Sequence, residues 1–340
     1  MTPDIPIDSI EFHNAHAEAR SDGSYQIARY PEAVRHQLND RARMLGMDSC
    51  GAEIRFVSAA PSLRVTLSCE NFGTEISIYR GSFEIGRHRL SVGIPTPLLL
   101  ETPEAFSRSQ ADVLHSGGFS PDLWRIVFGR GNCSLHRIDS FGADIRVPTS
   151  EETPRIHWLA YGSSITHSSL EGYPFHAARL LHCNVYGKGL SGSCHADAAA
   201  ANYLAEFAAE KKVDVITAEL GVNMRGSFTN EVFSKRVRNL VARLREANPQ
   251  TPIALITCFT NNQHYTNHPG NESAERQAAF DNTLRTLVAD AKDPNLHLFE
   301  GTEVLNDYTL LSADLLHPTR SGQALMAHNL AQKLQPLLKS

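Results

Sequence analysis

The texture of the chain changes once, near residue 150, and that change limits the folds open to it more than any other feature. From Glu151 onward, short apolar runs alternate with long amphipathic stretches. RIHWLAYG (155–162) precedes a helical pattern near 174–182, NVYG (184–187) one near 195–211, and VDVITAELG (213–221) one near 230–247. PIALITCF (252–259) is followed by a helix near 272–291, and LHLFEG (296–301) by a last helix near 320–338. Strands apolar on both faces, each leading into a helix, predict a parallel sheet covered by helices on both sides. In such sheets ligands bind beyond the carboxyl ends of the strands. Chemistry is therefore to be sought where these apolar runs stop.

Ahead of that boundary the pattern is one of short strands. AEIRFVSA (52–59), SLRVTLSCE (62–70), TEISIYRGS (74–82) and DLWRIVFG (122–129) alternate apolar and polar residues, with Gly and Pro between them. This spacing predicts an all-β sandwich or jelly-roll. RYPEAVRHQLNDRARML (29–45) breaks the pattern and reads as an irregular or partly helical crossover. A chain of 340 residues is too long for one small core. VPTSEETP (147–154), with two prolines and small polar residues, reads as the linker. The expected domains are 1–149, the β-sandwich, and 150–340, the α/β domain.

Charge and composition exclude several classes. A net charge of −5 and a pI near 6.3 offer no basic surface for nucleic acid. No apolar run reaches the ~20 residues that span a bilayer, so no membrane partner is expected. The opening MTPDIPIDSIEFHNAHAEAR has early acids and no apolar core, unlike a secretory signal. Six cysteines lie scattered without CxxC pairs, as expected of reduced, buried thiols in a cytoplasmic protein. His13 with His16, and His264 with His268, have spacings a metal could use, but no third ligand motif lies nearby, so no metal is expected.

Three strand exits and the segment before the last helix carry the candidate chemistry. The first ends in Gly162-Ser163-Ser164-Ile165-Thr166, which sets Ser164 at the sheet edge near a helix N-terminus. The same turn also reads as a helix cap, and Thr166 stands where the GxSxG elbow of α/β-hydrolases would have its second glycine. Near the C-terminus, Asp314-Leu315-Leu316-His317-Pro318 puts a carboxylate three residues before a histidine. There Asp314 can orient His317, and His317 can take a proton from Ser164; the bland alternative is a turn aspartate and a surface histidine. GKGLSGS (187–193) is rich enough in glycine for backbone N–H groups to approach a ligand. AELGVNM (218–224) places Asn223 just past the third strand. The N–H groups of Ser164 and Gly192 with the Asn223 amide would make a three-donor oxyanion hole, each donor contributing roughly 2.7–4 kcal/mol.

Taken in order, these blocks resemble the SGNH hydrolase family, also called GDSL-type esterases. Its Gly-Asp-Ser block matches Gly162-Ser163-Ser164, its second-block glycine Gly192, its Gly-x-Asn block Asn223, and its terminal Asp-x-x-His Asp314 and His317. The resemblance covers about 155–335. It implies a flavodoxin-like three-layer α/β/α fold and ester hydrolysis through an acyl-serine, with no cofactor. The chain departs from the pattern at Ser163 (usually aspartate), Gly187 (often asparagine) and Met224 (often aspartate). The first half is similar to the β-sandwich preceding the SGNH domain in carbohydrate esterase family 2. That similarity points to O-acetyl groups on saccharides, so a small-molecule or oligosaccharide ester is the expected partner. His167, His195, Asn261 and His264 are the candidate substrate contacts, with Trp124, Trp158, Phe259 and Asn262 as further sugar-lining candidates; the alternative reading makes most of these core or loop residues, with Trp158 core in the first strand and His167 and His195 solvated loop histidines. The rivals are a lipase, thioesterase or acyltransferase, and a carbohydrate-binding protein whose hydrolase site is inactive.

Overall fold

The structure, a computed structural model, describes residues 7–168 and 170–338. The chain divides into two compact units: Met1–Pro31, Gly46–Arg155 and His182–Asn184 form one, and Glu32–Leu45, Ile156–Leu181 and Val185–Ser340 the other. The segment Glu32–Leu45 thus belongs, by its contacts, with the second unit, although it lies far upstream in the chain. It carries the short helices Glu32–Arg35 and Asp40–Gly46.

Among the described residues the first unit holds ten strands: β1 (Glu11–His13), β2 (His16–Ala19), β3 (Tyr25–Ala28), β4 (Glu53–Val57), β5 (Ser62–Cys69), β6 (Thr74–Arg80), β7 (Phe83–Leu90), β8 (Thr96–Glu101), β9 (Leu123–Phe128) and β10 (Cys133–Asp139). They make two five-stranded sheets, ordered β1-β4-β9-β6-β7 and β2-β3-β10-β5-β8, with antiparallel pairing. One apolar core joins their inner faces: Ile54, Phe56, Ile76, Trp124 and Ile126 from the first sheet meet Ile27, Val65, Leu67 and Leu135 from the second. This is the expected sandwich. On the opposite face of the first sheet Glu53 is also buried, and a forked ion pair from Arg125, at 2.8 Å for each nitrogen, meets its carboxylate.

The second unit carries a parallel sheet of β11 (Ile156–Tyr161), β12 (Cys183–Gly187), β13 (Val215–Glu219), β14 (Ile253–Ile256) and β15 (Leu296–Phe299), ordered β12-β11-β13-β14-β15. β13 and β14 are buried at every position, as strands covered on both faces must be. The long helices Tyr173–Leu180, Ala198–Glu210, Asn230–Ala247, Glu272–Ala291 and Arg320–Leu334 follow the strands in turn. Side-chain caps start three of them: Thr229 accepts from Val232 N, Asn271 from Ser273 N and Ala274 N, and Thr319 from Gly322 N. The order 2-1-3-4-5 is the flavodoxin-like one, and its switch point lies between the first and third strands. β11 and β13 are those neighbours, and Ser164 and Asn223 follow them.

All six cysteines are free and buried. No helix among the described residues is long and apolar enough to cross a membrane.

Candidate active site

The turn after β11 is built on a buried acid. Glu219 closes β13 and is 1% exposed, and its Oε2 accepts from Ser163 N at 2.7 Å and from Thr166 Oγ1 at 3.2 Å. A Cβ on Gly162 would lie 2.7 Å from the same oxygen, so only glycine lets the turn sit down on the carboxyl. Leu190 N donates to Gly162 O at 2.8 Å, tying the loop after β12 to this turn. Ser164 emerges half-buried from it.

Ser164 Oγ lies 2.7 Å from His317 Nε2, and His317 Nδ1 lies 2.6 Å from Asp314 Oδ2. The other Asp314 oxygen accepts from Ser312 Oγ at 2.7 Å, His317 N at 2.9 Å and Leu316 N at 3.0 Å. Partial burial raises the Asp314 carboxyl, but the bonds from His317, Ser312 and Leu316 outweigh it and hold the group well below the usual carboxylate range. The ionised Oδ2 accepts a hydrogen bond from Nδ1–H, which keeps the proton on Nδ1 and leaves Nε2 bare to accept from the serine hydroxyl. The loop that sets this geometry is strained at one residue: Leu315 has φ +52, and Asn262 N donates to its carbonyl at 2.8 Å.

Asn223 Oδ1 accepts from Cys194 N at 3.1 Å, so the amide's NH2 is the end left to donate. Gly192 has φ +68, the left-handed region that favours glycine. Ser191 Oγ reaches His167 Nδ1 at 3.0 Å, and His167 N donates to Ser163 O at 2.8 Å. The Gly192 loop, the Ser164 turn and the Asn223 turn are therefore bonded to one another. Together they can polarise a carbonyl beside an activated hydroxyl.

Several expected substrate contacts are placed elsewhere. Trp124 and Trp158 are 0% exposed and Phe259 is 2% exposed, so none can line a sugar site. Trp158 instead donates from Nε1 to Thr217 Oγ1 at 2.9 Å within the sheet. Asn261 is 1% exposed and its amide is committed, accepting from Arg225 Nη1 and Gln263 N and donating to Phe259 O. His167 is buried and braces the Ser191 loop. His264 closes the turn after β14, its Nδ1 accepting from Asn261 N at 3.2 Å. His195, in contrast, stays beside the oxyanion turn: it is half-buried, packed 5.0 Å from the Phe228 ring and hydrogen-bonded to the Asn223 backbone, with burial first of all lowering its pKa.

Glu219 escaped the sequence reading, although an acid closing an otherwise apolar strand was its visible signal. Burial pushes its carboxyl upward against the hydrogen bonds from Ser163 and Thr166, and its Oε1 has no hydrogen-bond partner among the described residues. Glu219→Gln, a neutral group of the same shape, is expected to keep ester hydrolysis within a few-fold of wild type. Glu219→Ala strands the buried Ser163 N–H at a cost of about 1–3 kcal/mol, read as a lower Tm and a slower kcat. Equal damage from both substitutions would refute the account in which Glu219 serves as the acceptor for the turn.

Residues 160–325 match the GDSL-like Lipase/Acylhydrolase family. No curated protein matches the chain. Among solved structures, the salicylyl-acyltransferase SsfX3 from a tetracycline biosynthetic pathway aligns with TM-score 0.79 at 15% identity, covering 98% of this chain and 96% of that one. A family two carbohydrate esterase from Cellvibrio japonicus aligns with TM-score 0.60 at 14% identity, over 97% and 95% of the two chains. An acetyl xylan esterase from Butyrivibrio proteoclasticus aligns with TM-score 0.55 at 12% identity, over 98% and 96%. At such identities the likeness is one of fold, and it spans both units. The second half is a GDSL-like hydrolase domain, and the chain is a carboxylic ester hydrolase.

Proposed function

We propose that the chain removes O-acetyl groups from saccharides through an acyl-serine intermediate. Ser164 Oγ attacks the ester carbonyl carbon while its proton passes to His317 Nε2. The negative charge of Asp314 stabilises the imidazolium that forms. The carbonyl oxygen, now an oxyanion, is received by the N–H groups of Ser164 and Gly192 and by the Asn223 amide. Collapse of the tetrahedral adduct expels the alcohol, which takes the proton from His317. Water, deprotonated by the same imidazole, then releases the acid and restores the serine.

The observation that carries this reading is the continuous relay Ser164–His317–Asp314, at 2.7 and 2.6 Å. The sugar-acetate part is supported by the likeness to family two carbohydrate esterases over the whole chain. The test is a screen of acetylated mono- and oligosaccharides for acetate release, run beside labelling with a fluorophosphonate. Labelling of Ser164 with acetate release from a saccharide is the expected result. Labelling without any sugar deacetylation would remove the substrate class, and absence of labelling would remove the nucleophile.

A second reading is favoured by the likeness to an acyltransferase, which gives the higher TM-score. The same acyl-serine would then pass its acyl group to an alcohol in place of water. Adding candidate acceptor alcohols to the screen distinguishes the two by whether acyl alcohol or free acid accumulates.

A further inference from the structure

Arg41 stands on the helix Asp40–Gly46, in the upstream segment that belongs with the second unit. Its Nε donates to the Ser191 carbonyl at 3.0 Å, one residue before the glycine assigned above to the oxyanion. A Cβ on Gly192 would lie 2.8 Å from Arg41 Cζ and 2.9 Å from Nη2, so the guanidinium rests against the α-carbon of that glycine. The acids nearby are already engaged. Asp197 takes Arg236 Nη1 at 2.7 Å and Asn39 Nδ2 at 2.7 Å, and Asp40 faces Arg43 at 3.6 Å. Among the described residues Arg41 has no carboxylate partner, and it is exposed.

An arginine pinned through Nε to a carbonyl keeps its two terminal nitrogens as a fixed fork, the shape that binds a carboxylate in two parallel bonds. A fork held against the oxyanion loop meets whatever lies beside the scissile carbonyl. A neutral ester leaves that charge unanswered, whereas an ester bearing a carboxylate there completes it. We propose that Arg41 is a specificity-determining residue that selects esters carrying a carboxylate close to the scissile bond. The proposal rests on the esterase reading and narrows its substrate class to acidic esters, such as acetylated acidic saccharides.

Two matched pairs of esters test it at constant ionic strength and neutral pH. In 4-acetoxybenzoate and its methyl ester the charge lies on the alcohol side. In the mono-4-nitrophenyl ester of adipic acid and its methyl ester it lies on the acyl side. The wild type is expected to favour the anionic member of at least one pair in kcat/KM by about 10- to 100-fold. Arg41→Gln should collapse that ratio towards one, Arg41→Lys should retain part of it, and Arg41→Glu should reverse it. The pair that responds tells which side of the ester carries the acid. A wild-type ratio near one in both pairs, or an Arg41→Gln ratio equal to the wild-type one, overturns the selection while leaving the esterase reading intact. Failure of the wild type to hydrolyse any of the four esters overturns both.

Discussion

Replacing Ser164 by alanine is expected to lower kcat for p-nitrophenyl acetate by about 10,000- to 1,000,000-fold, with thermal unfolding nearly unchanged. The size follows from the position of the hydroxyl in the relay. Without Oγ, the histidine has no proton to take and no acyl-enzyme can form, so only binding and the oxyanion donors remain. The small structural effect follows from the surroundings: Ser164 is half-buried and, among the described residues, its hydroxyl bonds only to His317 Nε2. Losing one such bond at a partly solvated site costs about 1 kcal/mol or less. Steady-state rates and a melting curve on the same preparation check both halves. Activity within tenfold of wild type would show that another nucleophile does the work.

Asp314→Asn is expected to lower kcat by about 100- to 10,000-fold, again with the fold kept. The reason lies in how the two carboxylate oxygens divide their partners. Oδ1 accepts all three loop bonds, from Ser312, Leu316 and the His317 backbone, while Oδ2 serves the imidazole alone. An asparagine can keep its oxygen on the loop and must then turn its NH2 toward Nδ1. That forces the imidazole proton to Nε2, where it blocks acceptance of the serine proton. The pH dependence follows from the sign of the Asp314 shift. A carboxyl held below its ordinary range remains ionised as pH falls through the range where free aspartate protonates, and loses its charge only in stronger acid. The deficit of Asp314→Asn is therefore expected to be a constant factor in kcat from about pH 7 to 8. A deficit that vanished within that range would contradict an ionised Asp314.

The α/β half was legible because its signals are local. The helices Asn230–Ala247 and Glu272–Ala291 begin where Thr229 and Asn271 can cap them, and the expected bounds agree with those seen. β13 and β14 announced themselves as apolar runs with no polar face. In the sandwich, β7 gave no such notice. Most of Phe83–Leu90 is exposed or half-exposed, so FEIGRHRL has no inward-facing alternation to read. The same limit explains the site. Ser164, Asp314 and His317 lie in short recognisable blocks, and the relay among them formed as their spacing suggested. Burial of polar and aromatic groups is not periodic, however. Trp124 and Phe259 took the core alternative, but the sequence could not tell that Asn261 was fully committed or that Glu219 underlay the nucleophile turn.

Glu32–Leu45 has a consequence of timing. The α/β unit is discontinuous: this stretch leaves the ribosome more than a hundred residues before Ile156–Leu181, the part of the unit that carries Ser164. During synthesis it must wait without its partners while Gly46–Arg155 is made. Arg41 can thus meet Ser191 only by closing a loop of some 150 residues, a late and long-range event in folding. A gene fragment beginning at the apparent linker near residue 150 would encode every member of the Ser164 relay and omit the guanidinium on the Gly192 loop. Division of the chain at its most obvious seam therefore yields an incomplete enzyme.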